Sequence, residues 1–327
     1  MKPFPVLLLN PNITDAISKI VSIGIADGIK EGLDPQIHLV DEEGPVSTVA
    51  EITEFPAFLN LEYKRKVSVS AAYMQVLWII CNIALKNNDA IAVEVEVDNM
   101  SPEEKEQFYK GLEVDTPETR YLKILLDKKA IFRQSAKEVD LIELICSKKL
   151  SEAEMDIVYQ LDMTSDSGTS TNSMYIYAMT FCLLHEFSHH LLGQDFSKEA
   201  TLEEEVAADQ SAFWSMYSDL DDNLKLTAMY GIICSLVSLL FINSELKDDG
   251  IHPKPVERIF VYYELIKDEN PKYAGLLCHL LYTWAVYTRD DNMPKWDRPY
   301  NELIYLMKDH LLEIEERNNA RMCKNPC

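Results

Sequence analysis

Residues 185–189 read His-Glu-Phe-Ser-His, and they sit inside an apolar stretch that runs from Met174 to Leu192. Apolar residues at that density, closed by Gly193, predict a helix that ends there. On a helix, residues four apart share a face, so His185 and His189 point to the same side and reach one point in space. Glu186 projects beside them. Whatever else this chain folds into, it must hold a rigid helix whose two imidazoles converge.

A second helix supplies what that point lacks. Thr201-Leu202-Glu203-Glu204 fits a capping box, with Thr201 at the helix start and Glu204 reaching back to it. Glu203 then favours the positive end of the helix, and Glu205 stays in the first turn with its carboxylate uncommitted. Three glutamates at a helix start are ordinarily a solvated first turn. With the two histidines upstream, Glu205 becomes a third ligand, and Asp209, one turn on, shares its face and can accept a hydrogen bond from a ligand imidazole.

Two imidazoles and one carboxylate form a zinc ligand set that leaves a fourth tetrahedral position open to water. Zinc lowers the pKa of that water to about 7, and a carboxylate beside it, here Glu186, takes the proton as the water attacks a carbonyl. A chance H-E-x-x-H in a chain of 327 residues is an event on the order of one in a hundred, so context must carry the assignment.

Further context lies in His252-Pro253-Lys254-Pro255-Val256-Glu257-Arg258-Ile259, a proline-bounded turn before a helix that begins near Pro255. A histidine there can donate to a developing oxyanion. Arg258 can pair with Asp209 or Glu205 and hold the carboxylates in place. Alone, a His-Pro pair is a surface turn. His190 lies one residue round from the metal face and reads as a structural or rim residue; His38, His279 and His310 have no partner pattern.

Composition narrows the function class. The formal net charge of −23 repels a phosphate backbone, and the densest basic cluster, Lys64-Arg65-Lys66, does not offset it, so nucleic acid is not an expected partner. Seven scattered cysteines, odd in number and without a C-x-x-C pair, argue against a disulfide framework and against a cysteine zinc site; a reducing cytoplasm is the natural setting. Leu226 to Ile242 carries no charge but is at the lower length limit for a membrane span and has acidic flanks, which favours a buried core helix.

The expected fold class is α+β: a small mixed α/β N-terminal part over residues 1–150, then a mainly helical, zincin-like catalytic part over 151–327. Phe4 to Leu9, Ile37 to Val40 and Ile91 to Val97 read as strands, and Thr14 to Leu33 and Val67 to Lys86 as helices. Ser165 to Thr171 is polar and small and reads as a loop at the boundary. Helices are expected over about 173–192, 202–218, 222–243, 255–268, 272–288 and 299–317, with a frayed tail from Arg317.

The series H-E-x-x-H at His185 to His189, E-x-x-A-D at Glu205 to Asp209 and H-P-x-x-x-x-R-I at His252 to Ile259 is similar to the motifs of gluzincin metallopeptidases. The block Phe181 to His190, with the mixed N-terminal part, resembles the bacterial phage-exclusion Lit peptidase family. That resemblance implies a cytoplasmic zinc endopeptidase that cuts a protein substrate, such as a translation factor during phage infection. Two other readings stand beside it: an integral-membrane peptidase that uses 226–242 as a span, and a non-catalytic helical sensor or interaction module. Oligomeric state has no signature here.

Overall fold

The computed structural model describes residues 4–13, 15–17, 38–40, 50–56, 63–147, 150–161, 163–192, 200–244, 246, 250 and 252–324, and these are mostly helical. A 3-10 helix, Pro5–Leu9, comes first. Three strands follow: β1 (His38–Val40), β2 (Ala50–Pro56) and β3 (Tyr63–Ser70). They pair in the order β1-β3-β2, with β1 parallel to β3 and β2 antiparallel to it. β3 runs straight into α1 (Ala71–Asn99), whose N-cap Ser70 accepts a hydrogen bond from Tyr73 N at 3.1 Å.

Ten more helices follow α1: α2 (Pro102–Leu112), α3 (Pro117–Leu126), α4 (Lys128–Ser147), α5 (Glu152–Val158), α6 (Asp166–Leu191), α7 (Leu202–Asp219), α8 (Asp222–Ile242), α9 (Pro255–Ile266), α10 (Lys272–Thr288) and α11 (Tyr300–Lys324); residues 10–13 and 15–17, just after the 3-10 helix, are helical as well. The helices expected from about 202 to 288 fall within two residues of these bounds.

Several expectations for the first part do not hold. Phe4 to Leu9 is not a strand: Pro5 stands at the first helical position, and Val6 is buried with its N–H donating to Gln75 Oε1 at 3.3 Å. Ile91 to Val97 is helical, within α1. Its Val-Glu-Val-Glu-Val alternation imitates a strand, yet burial falls on Asn87, Ala90, Ile91, Glu94 and Val97, at helical spacing. The helix expected from Val67 starts at Ala71, after β3. Among the described residues of 1–150, strand structure stops at Ser70, and α1 to α4 occupy 71–147. Of the helix expected from Thr14 to Leu33, residues 15–17 are helical as expected, and residues 14 and 18–33 lie outside the described residues.

The polar run Ser165 to Thr171 is not a loop: Ser165 stands just before α6, its Oγ accepting Gly168 N at 3.1 Å, and Asp166 to Thr171 form the first turns of the helix. Its hydroxyls turn back on the helix, Ser170 to Asp166 O, Thr171 to Ser167 O and Ser173 to Thr169 O, at 3.0–3.2 Å. Asn172 Oδ1 accepts Trp78 Nε1 at 2.7 Å, which ties this end of α6 to α1. At the other end of the chain α11 continues to Lys324, past the expected fraying point.

One contiguous apolar core draws on α1, α6, α8, α9, α10 and α11, so residues on both sides of position 150 share it. α1 and α8 are long and apolar enough to cross a membrane by length and composition, but most of each apolar window is buried inside the fold. A helix apolar on all faces is what a core interior requires. α8 meets α6 at Gly231, where an added Cβ would stand 2.8 Å from Ala178 N and from Met174 O. That approach sets α6 deep in the core, two turns before His185.

Candidate active site

α6 carries His185, Glu186 and His189; α7 carries Glu205 and Asp209; the turn before α9 carries His252, and α9 itself Arg258. The capping box at the start of α7 forms as the sequence predicts. Thr201 Oγ1 accepts Glu204 N at 3.3 Å, and Glu204 Oε2 accepts Thr201 N at 2.7 Å. Glu204 is thereby turned back on the helix end, while Glu205, one residue on, faces α6 and is 3% exposed.

The convergence is tight. His185 Nε2 is 3.2 Å from His189 Nε2 and 3.2 Å from Glu205 Oε2, and His189 Nε2 is 3.3 Å from Glu205 Oε1. These buried residues can hold a metal ion. Ligands about 2.0–2.1 Å from a tetrahedral ion lie about 3.3 Å from one another, which is the spacing found here. Glu205 Oε2 is buried and makes no well-formed hydrogen bond, facing only the imidazoles of His185 and His252 at 3.2 and 3.7 Å, so it is an anionic oxygen that a cation would satisfy. The donor set therefore fits a zinc-type ion.

Behind the ligands stands a fixed support. Arg258 donates to Asp209 twice, Nε to Oδ2 at 2.8 Å and Nη2 to Oδ1 at 2.6 Å. Burial works against the Asp209 carboxylate, but Arg258 and His185 outweigh it and hold its pKa at about 2. An ionised carboxylate only accepts, so His185 Nδ1, 2.8 Å away, is the donor. That leaves the lone pair of His185 Nε2 aimed at the convergence point. Burial also disfavours a charged His185, yet Asp209 and Glu205 lift its pKa to about 10 when no cation is bound. The pocket is built to hold positive charge.

Glu186 feels the charges of His185, Glu205, His252 and Arg258, and burial raises its carboxyl above the ordinary range. His252 is half-exposed, with Nε2 3.7 Å from Glu205 Oε2, at the open side of the cluster. His185, His189, Glu205, Asp209, Arg258 and His252 come together here, with Glu186 within reach of their charges. The side chain of His190 and the stop at Gly193 lie outside the described residues.

The amino-acid sequence of residues 67–277 matches the family described as peptidase U49. The chain belongs to that family. It is therefore a peptidase, a hydrolase of peptide bonds, and the matched span holds α6, α7, α9 and every residue of the cluster. No curated protein and no solved structure matches the chain significantly.

Sequence reasoning overlooked the aromatic wall behind Arg258. Tyr262, one turn along α9, packs its ring 4.9 Å from Phe213 and 6.3 Å from Phe181. Burial, with the Asp209 charge added, keeps its phenol protonated far above the usual range. The available signal was its spacing of four from Arg258. Below α6 a buried polar chain links Tyr73 OH to Ser238 Oγ at 2.9 Å and Cys182 Sγ to Ser235 Oγ at 2.9 Å, joining α1, α6 and α8.

Proposed function

We propose that this peptidase is a zinc-dependent endopeptidase of the gluzincin kind, with His185, His189 and Glu205 as metal ligands. The observation that carries this reading is the mutual 3.2–3.3 Å spacing of the three ligand groups. Zinc, when bound, supplies a water acidified to a pKa of about 7 and polarises the scissile carbonyl. Glu186 receives the proton of the attacking water and passes it to the leaving amine. His252, at the open side, donates a hydrogen bond to the oxyanion as it develops. Asp209 and Arg258 hold His185 in the tautomer that presents Nε2.

The Lit-type resemblance of the Phe181 to His190 block supports a cytoplasmic bacterial setting, a protein substrate and a role in phage exclusion. The buried state of α8 favours this over a membrane-spanning peptidase. Elemental analysis of purified protein, joined to a proteome-wide cleavage screen that compares wild type with Glu186→Gln, tests the proposal. One zinc per chain and cleavages seen only with wild type are expected. A metal-free chain that still cleaves would overturn it.

A further inference from the structure

Resting on that reading, the geometry points to a positioning residue outside the site: we infer that Glu315, on the C-terminal helix α11, sets the pose of His252 through Lys254. Glu315 is 1% exposed, and Lys254 Nζ stands 3.6 Å from its Oε2. A carboxylate that deep in the fold is costly unless a cation faces it, so the pair ties the His252 turn to α11.

The turn transmits that tie because it is stiff. His252-Pro253-Lys254-Pro255 alternates prolines with residues that precede prolines, and both kinds have restricted backbones. Lys254 is held at φ −57° and ψ 136°, and Pro255 opens α9. Anchoring Lys254 therefore restrains the backbone that carries His252, whose Nε2 lies 3.7 Å from Glu205 Oε2. α9 and α11 meet in antiparallel register beyond the pair: Lys308 Nζ lies 5.2 Å from the Phe260 ring centroid, and Tyr305 OH donates to Glu264 Oε1 at 2.9 Å. The family match covers the His252 turn but ends at residue 277, before α11 begins, so the anchor lies beyond it.

The test compares Glu315→Gln and Lys254→Gln with wild type, each also in a His252→Ala background. Misplacing a catalytic donor by about 1 Å costs up to a hundredfold, so kcat should fall about ten- to a hundredfold with KM within about twofold. Zinc affinity should not change, because its ligands sit on α6 and α7. In the His252→Ala background neither substitution should lower kcat further. An equal loss in that background, or a parallel loss of zinc affinity, overturns the inference. If Glu315→Gln fails to fold, Lys254→Gln carries the same expectations from the surface side of the pair. The His252 imidazole resonances of the folded variants give a readout independent of turnover. They should shift in Glu315→Gln, and unchanged resonances also overturn the inference. A wild type that cleaves nothing defeats the peptidase mechanism alone, and the resonances still decide whether Glu315 positions His252.

Discussion

Arg258 grips Asp209 with two parallel hydrogen bonds, at 2.8 and 2.6 Å, and the same Asp209 carboxylate accepts His185 Nδ1 at 2.8 Å. Metal affinity should depend on a residue that never touches metal. Loss of a group that orients a ligand through its other ring nitrogen costs about 10- to 100-fold in affinity. Arg258→Ala should weaken zinc binding by that much, and Arg258→Lys should recover only part of it, because an ammonium cannot reproduce the fork. Competition with a zinc indicator measures both. Wild-type affinity in Arg258→Ala would separate Arg258 from the ligand support.

Each ligand histidine should be indispensable. His185→Ala or His189→Ala leaves two protein donors, and stoichiometric zinc is expected to be lost from either variant. Full occupancy in the double variant, measured by elemental analysis, would place the metal elsewhere.

Glu186→Gln should keep zinc and fold while proteolysis drops by about 10²- to 10⁴-fold, since the amide preserves shape and cannot take a proton. Preparations matched for metal content are needed for the comparison. Near-normal turnover would mean that another group activates the water.

The site was legible because its information is local. His185 and His189 are one helical turn apart, Glu205 and Asp209 are one turn apart, and the capping box fixes which glutamate of Glu203-Glu204-Glu205 turns inward. The N-terminal region was misread where local pattern and tertiary burial disagree. The Val93 to Val97 alternation looks like a strand, but α1 is buried on most sides and the core decides its period. Ser165 to Thr171 looks like a loop because its hydroxyls can compete with backbone bonding; here they bond within the helix instead. Glu315 carried no signal at all, since a glutamate in a charged C-terminal helix shows its burial only once α9 is laid against it.

Packing above the site should limit substitution at Gly231. Alanine is about 1 kcal/mol better than glycine in a helix interior, but here its Cβ would stand 2.8 Å from two backbone atoms of α6. Overpacking of this kind costs about 1–3 kcal/mol, and backbone cannot swing aside as a side chain can. Gly231→Ala should therefore lower stability by about 1 kcal/mol net in denaturant titration and shift α6 enough to weaken zinc binding. A gain in stability would show that the two helices are not so closely set.

His252 distinguishes a group that acts on the transition state from one that holds the metal. It is half-exposed and 3.7 Å from Glu205, whereas the ligand nitrogens of His185 and His189 are buried 3.2–3.3 Å from that carboxylate. A donor at the rim meets the oxyanion only as charge develops there, so its removal should appear in kcat rather than in zinc affinity. His252→Ala should reduce kcat by roughly a hundredfold or more with zinc bound as in wild type. Arg258→Ala should show the reverse emphasis, losing metal first. Single-turnover cleavage at saturating zinc, measured beside zinc affinity for both variants, separates the two roles. If His252→Ala loses zinc, the imidazole is a ligand; if it cleaves at the wild-type rate, the oxyanion is stabilised from another side of the cluster.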